Sequence, residues 1–219
     1  MIILLFLGVK EVLLLKAILV LFLSYLVGSV TTGDIVAFFK KVDLRGQGSG
    51  SIGATNVFRA MGSFWAGIVL AGDALKGVIA VLLGNLVENT GGFDLAILTG
   101  IAAIIGHNWP VYTRFRGGKG IATSLGVIIG LTSKSLLLIL PVWVVSFLAS
   151  GYVSVASLLA AIFYPVSVFY SYPGDAYKLG FALIIAILAV YRHKANIQRL
   201  LQGKENRFLY NKGKGAEKR

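Results

Sequence analysis

Long apolar runs separated by short polar segments set the pattern of this chain. The first continuous run, at about 12–39, exceeds the roughly 20 residues that a helix needs to cross a bilayer core. Further runs cover about 63–86, 94–106, 121–131, 136–150, 153–170 and 179–191. Residues 2–9 extend the first helix or lie in the interface, since Lys10, Glu11 and Lys16 interrupt the run. Gly151-Tyr152 and Pro173-Gly174 mark turns. Pro141 and Pro165 fall inside runs, and a kink is expected at Pro165. The pattern predicts an all-α integral membrane protein with seven transmembrane helices. It forms a single domain over 1–210, followed by a Gly/Lys-rich tail at 211–219 with a disordered composition.

Composition supports the membrane reading and charge orients it. The 219 residues are 57% hydrophobic, with a mean hydropathy of +0.82, and a soluble domain has nowhere to bury so much apolar surface. The formal net charge is +12. On the seven-helix pattern, one side collects Lys40, Lys41, Arg45 and Arg59, then Arg114, Arg116 and Lys119, then nine cations from Arg192 to Arg219. The other side has Lys10, Lys16, Lys134 and Lys178 against Glu11, Glu88, Asp94 and Asp175. The positive-inside rule therefore places the N-terminus outside and the C-terminus in the cytoplasm. Cations spread over loops between spans suit anionic lipid headgroups better than nucleic acid. The N-terminus lacks a small-residue cleavage site and reads as a retained span. Without cysteine there is no disulfide, thiol nucleophile or thiolate site. With two histidines and nine acids no metal site or cofactor is expected.

Candidate chemistry concentrates at 106–126, GHNWPVYTRFRGGKGIATSLG. Closely spaced glycines let backbone N–H groups turn toward an anion, and Lys119 adds a point charge that suits phosphate. The loop feeds an apolar helix, whose N-terminus also favours an anion. A flexible basic loop is the plainer alternative. A second glycine-rich, hydroxyl-rich basic segment covers 40–62, with Gly46, Gly48, Gly50, Gly53, Ser49, Ser51 and Asn56 between Arg45 and Arg59. A short amphipathic helix at about 52–60 fits within it. The run Gly28-Ser29-Val30-Thr31-Thr32-Gly33 reads as close helix packing, or as part of a polar pocket. Asp73 and Lys76 are three apart inside a span, where they can pair and where ionisable groups mark function by default. In the tail His193 and Asn196 share a helix face, and Ile197, Leu200 and Leu201 form an apolar stripe.

Three ordered motifs carry a family resemblance over almost the whole chain. GQGSGSIGATNVFRAMG, GHNWPVYTRFRGGKG and HKANIQRLLQGKEN resemble the three motifs of the bacterial acyl-phosphate-dependent glycerol-3-phosphate acyltransferases of the PlsY type. The segments at 28–33 and 72–77 resemble two further signatures. Ser51 stands where the family usually has asparagine, and Val30-Thr31 where it commonly has Ile-Pro. The resemblance implies a multi-pass enzyme of the bacterial inner membrane with its site on the cytoplasmic face. It would move an acyl group from acyl-phosphate to the 1-hydroxyl of glycerol 3-phosphate, giving lysophosphatidic acid and phosphate. Its partners would be these two substrates and membrane lipids, with no nucleic acid and no obligate protein partner evident. The His-x4-Asp motif of other acyltransferases is absent, since Tyr112 and Gln198 stand five residues after His107 and His193.

By resemblance, His193, Asn196, Ser49 and Arg45 are candidates for the catalytic centre. Gly117, Gly118, Lys119 and Gly120 are assigned to the acyl-phosphate. Arg45, Ser49 and Asn56 are candidates for glycerol phosphate or for both phosphates. His193 and Asn196 would orient the acceptor, with Lys76, His107 and Asn108 also at the substrate. Lys76 would be oriented by Asp73, and Glu205 is expected to partner a nearby cation. The hydroxyl proton goes to His193, to His107 or to a substrate phosphate, and the last is favoured. Acyl-phosphate is a mixed anhydride with a good leaving group, so a protein that orients two anions and offsets their repulsion is sufficient. A transporter for a phosphate-bearing anion is the alternative class. Against it, both glycine-rich loops and the tail fall on one face, and no repeat relates the two halves.

Overall fold

The computed structural model describes residues 2–87 and 94–208, with side chains from Glu11 onward. The expected loop around Glu88 and the basic tail at 211–219 lie outside the described residues. Every regular element among the described residues is helical. The helices are α1 (Ile2–Ser29), α2 (Thr32–Lys40), α3 (Ala54–Met61), α4 (Ser63–Asn85) and α5 (Leu95–Asn108), then α6 (Ile121–Leu131), α7 (Leu136–Ser150), α8 (Val153–Ser171), α9 (Ala176–Arg192) and α10 (Lys194–Leu201). α8 runs through Pro165 as one element.

Five stretches are long and apolar enough to cross a membrane: Glu11–Lys40, Ser63–Asn85, Leu95–Thr113, Ser133–Ser150 and Val153–Ser171. A sixth is reached if α9 and α10, bent by 55° at their junction, count as one span. The 11 residues of α6 rise only about 16 Å at ~1.5 Å per residue, about half a hydrocarbon core of ~30 Å. The apolar pattern marks α6 as a crossing, and the helix by itself covers about half of that thickness. Large apolar side chains face outward, with Leu137 and Ile187 78% and 68% exposed, as suits lipid contact. Polar groups such as Thr99, Asp73 and His107 are buried.

The chain divides into two compact units, Met1–Thr132 and Ser133–Arg219. In the first, α1 packs on α5, and α4 packs on α5 and α6. Small residues set these approaches. A side chain at Gly28 would strike the Ala103 backbone, and one at Gly106 would strike the backbone of Tyr25 and Ser29. Gly77 and Gly126 make the same reciprocal contact between α4 and α6. Lipid gives no hydrophobic drive to helix pairing, so such close backbone packing holds the helices instead. Val36, Leu44, Val57 and Val69 form a small core, with Trp65 against it, under the first glycine-rich segment.

In the second unit α8 packs on α7 and on α9. Tyr164 meets Phe181 edge-on, and Trp143 Nε1 donates to Ser157 Oγ at 3.3 Å. The chain after α10 folds back, and Phe208 N donates to the Gly151 carbonyl at 2.8 Å. That return places Glu205 beside α8 and α10.

Candidate active site

The first long helix is broken at Val30-Thr31, between α1 and α2. A break at membrane depth exposes backbone groups that lipid cannot satisfy. The ion pair on α4 satisfies both ends. Lys76 Nζ donates to the Val30 carbonyl at 2.8 Å. Asp73 Oδ1 accepts from Thr32 N at 3.3 Å and from Thr32 Oγ1 at 3.2 Å. The two side chains pair at 2.9 Å, so the i,i+3 spacing does bring them together. His107, at the end of α5, joins them: Lys76 Nζ lies 2.9 Å from His107 Nδ1. All three residues are at most 5% exposed.

The 117–120 loop lies directly on this cluster. Gly118 N donates to the His107 carbonyl at 3.1 Å. A side chain at Gly118 would overlap His107 Nε2, and one at Gly117 would overlap the His107 carbonyl and Pro110. Gly120 has φ +81° and caps α6, and its missing Cβ would sit 2.8 Å from Asn108 Oδ1. The glycines therefore let the loop lie flat on the end of α5, while the first turn of α6 directs N–H groups back toward the loop. Arg114 and Phe115, just before it, both adopt left-handed conformations (φ 53° and 62°), a strain of about 1–3 kcal/mol each of the kind that clusters at functional sites. Both side-chain polar atoms of Asn108 and the hydroxyl of Thr123 are buried without hydrogen-bond partners among the described residues. Lys119 is half-buried.

Arg45 ties the first glycine-rich segment to the second. Its guanidinium pairs with both oxygens of Asp34 on α2 and donates to the Arg116 carbonyl at 2.9 Å. Asn56 staples its own segment: Oδ1 accepts from Ser49 N at 2.9 Å, and Nδ2 donates to the carbonyls of Leu44 and Gln47 at 3.0 and 3.1 Å. Ser49 is half-buried beside it. An open groove of about 660 Å³ runs past Arg45, lined by Asp34, Phe38, Phe39, Lys41 and Leu44 among others.

The second unit holds a separate cluster. His193 sits at the bend between α9 and α10, 2% exposed, with Nδ1 2.7 Å from the Ala189 carbonyl. A carbonyl only accepts, so Nδ1 carries a proton and Nε2 is the acceptor in the neutral ring. Asn196 Nδ2 donates to Glu205 Oε1 at 2.6 Å, which fixes the amide's orientation. Asn196 Oδ1 is buried without a donor among the described residues. Glu205 also accepts from Ser154 Oγ at 2.8 Å and from Arg199 Nε at 2.7 Å, so its cation partner is Arg199. Burial alone would raise the Glu205 carboxyl, but the bonds from Asn196, Arg199 and Ser154 outweigh it and hold it below its ordinary value.

Sequence reasoning missed Ser154 and did not find the partners of Thr32 and Asp34, although the run that holds them reads as part of a polar pocket. Thr32 and Ser154 bond to residues 41 and 51 positions away, and Asp34 to Arg45 in the next segment. Among the described residues no group of three or more histidines and carboxylates is arranged to hold a metal ion. The arrangement offers cations and backbone N–H groups for anions, and oriented polar groups for a hydroxyl.

The family model for glycerol-3-phosphate acyltransferase matches residues 18–203. A glycerol-3-phosphate acyltransferase of Desulforudis audaxviator is 50% identical over 199 residues, covering 90% of this chain and 98% of the relative. That of Aquifex aeolicus is 42% identical, covering 88% and 100%. Among solved structures, the glycerol 3-phosphate form of PlsY, an integral membrane glycerol 3-phosphate acyltransferase, superposes with a TM-score of 0.81 at 40% identity, covering 88% of this chain and 95% of that one. The lysophosphatidic acid form gives 0.78 at 38%, covering 87% and 94%. On these matches the chain belongs to the glycerol-3-phosphate acyltransferase family.

Proposed function

We propose that the protein transfers a fatty acyl group from acyl-phosphate to the 1-hydroxyl of glycerol 3-phosphate, releasing lysophosphatidic acid and inorganic phosphate. This is the first acylation of bacterial phospholipid synthesis. The solved relatives, described in glycerol 3-phosphate and lysophosphatidic acid forms, support the acceptor and the product. The three-motif resemblance supports the donor. In the reaction the acceptor oxygen bonds to the acyl carbon, the bond from that carbon to the phosphate oxygen breaks, and the hydroxyl proton passes to phosphate. No covalent enzyme intermediate is needed.

The observation that carries this reading is the fixed amide of Asn196, whose buried Oδ1 lacks a donor among the described residues and suits a glycerol hydroxyl. We assign His193 and Asn196 to the acceptor, and Gly117, Gly118, Lys119 and Gly120 to the phosphate of the donor. Arg45 and Ser49 serve the phosphates, with Asn56 holding the segment that carries them. Asn108, buried under Gly120, is assigned to the donor side. Phe38 and Phe39 beside Lys41 and Arg45 suit a lipidic donor with an anionic head. The chain lies in the inner membrane with seven crossings, α6 being completed by its flanking segments. The N-terminus is outside, and the site opens to the cytoplasm, where water-soluble glycerol 3-phosphate is found.

The test is a pair of variants. Asn196→Ala should lower kcat/KM for glycerol 3-phosphate by about 10- to 100-fold, the loss of one or two positioned hydrogen bonds. His193→Gln should retain turnover within about tenfold, because a lost general base costs about 10²- to 10⁴-fold. A kcat loss at the upper end of that range for His193→Gln would assign the base to His193 and reject proton transfer to phosphate. An unchanged Asn196→Ala would reject the acceptor site.

A further inference from the structure

Lys76 has three ammonium protons and three acceptors, all on the first unit: Asp73 Oδ1 at 2.9 Å, the Val30 carbonyl at 2.8 Å and His107 Nδ1 at 2.9 Å. An ammonium has no acceptor capacity. Nδ1 of His107 must therefore accept, and in the neutral ring the proton sits on Nε2. Asp73 does not take the usual carboxylate's place against the imidazole. Its Oδ1 is 3.6 Å from Nδ1, beyond hydrogen-bond range. The order is carboxylate, ammonium, imidazole, so the ring is oriented by a donor and turns its N–H edge the other way. That edge points at Gly118, where any Cβ would overlap Nε2.

We infer that Asp73, Lys76 and His107 form a positioning network in which Lys76 fixes His107 as its Nε2–H tautomer and sets that edge under the 117–120 loop. Gly118 is then held from two sides, by the His107 carbonyl on its N–H and by the ring against its Cα. In this role the three residues act through the loop. They determine where the loop's N–H groups and Lys119 lie. The same network caps the break between α1 and α2, so one buried ion pair sets both the broken helix and the glycine loop. The functional part of this inference rests on the reading of that loop as the cradle for the donor's phosphate.

The chain has two histidines, which makes the tautomer directly readable. Protein with ¹⁵N-labelled histidine in detergent micelles is compared with its His193→Gln variant, which assigns the remaining signals to His107. The network predicts a pyridine-type shift at Nδ1 and a pyrrole-type shift at Nε2. Lys76→Met should redistribute the tautomers and raise KM for palmitoyl-phosphate by about five- to tenfold, the worth of one positioned hydrogen bond of about 1–1.4 kcal/mol, with kcat changed by less than about threefold. Where Lys76→Met does not fold, because Asp73 is left buried and unpaired, the Asp73→Asn/Lys76→Met double variant carries the same test without a net buried charge. A protonated Nδ1 in the wild-type protein, meaning a proton shared the other way with Lys76, overturns the proposal. So does a tautomer unchanged by loss of Lys76. Neither result depends on turnover, so a wild-type protein with the expected shifts but no acyl transfer would reject the functional reading and leave the network standing.

Discussion

Lys76 Nζ donates to the carbonyl of Val30 across a break in the first long helix, while Asp73, one turn away on the same helix, accepts from the N–H that opens the next segment. The cation sits at the C-terminal end of one helix and the anion at the N-terminal end of the other, the order that helix dipoles favour. Removing either partner leaves the other charge buried and the exposed backbone group unsatisfied. Asp73→Asn and Lys76→Met should each lower stability by about 3–5 kcal/mol, read as thermal unfolding in detergent. The double variant should lose less than their sum, because the two residues act as one unit. Additive losses would show that they cap the break independently.

Gly118 and Gly67 should respond in opposite ways to the same substitution. An added methyl at Gly118 meets the His107 ring, whereas at Gly67, inside α4, it meets nothing within 4 Å. Gly118→Ala should cost about 1–3 kcal/mol as overpacking and weaken donor binding. Gly67→Ala should be neutral or stabilise by up to about 1 kcal/mol through helix propensity. Unfolding and KM measurements on the two variants check this, and equal behaviour would contradict the close contact at Gly118.

Glu205 should make stability depend on acid. Burial opposes its charge, but three hydrogen bonds hold the folded-state carboxyl low, so the folded protein binds fewer protons there than the unfolded chain does. Its contribution is complete above the ordinary glutamate value of about 4.3 and is lost as pH falls through the folded value. The melting temperature of the wild type should fall more steeply below about pH 4.3 than that of Glu205→Gln. Parallel curves would show that the carboxylate makes no such contribution.

Orientation can be read with single cysteines, because the chain has none of its own. On the proposed topology Tyr112, 61% exposed in the second motif, faces the cytoplasm, and exposed Pro173 faces outside. An impermeant thiol reagent added to intact cells should label Pro173→Cys and spare Tyr112→Cys. The reverse pattern would invert the proposed topology.

The residues that announce themselves in the sequence are those whose chemistry is local. Asp73 and Lys76 share a helix face by spacing alone and do pair, and the small residues at 28–33 announced close packing. The break at Val30-Thr31 was not placed from the sequence, because the small and hydroxyl residues at 28–33 suit close packing of an unbroken helix as well as a break. It exists because Asp73 and Lys76, some 40 residues on, satisfy the groups it exposes. Partners in other segments explain the other omissions. Nothing near Arg45 foretells the Arg116 carbonyl, 71 residues on. Glu205 was expected to partner a cation, and does so with Arg199, but its bond to Asn196 depends on the chain folding back after α10. Hydrophobic patterning marked α6 as a crossing but could not show that its helix has only 11 residues and needs its flanking segments to reach across.

The most direct test of the account uses purified protein with glycerol 3-phosphate and either palmitoyl-phosphate or palmitoyl-CoA. Phosphate release and lysophosphatidic acid are followed together. The account predicts both products in equal amounts from palmitoyl-phosphate and none from palmitoyl-CoA. Product from the CoA donor alone would contradict the donor assignment, and no product from either, with folded protein, would contradict acyl transfer itself and favour transport of a phosphate-bearing anion.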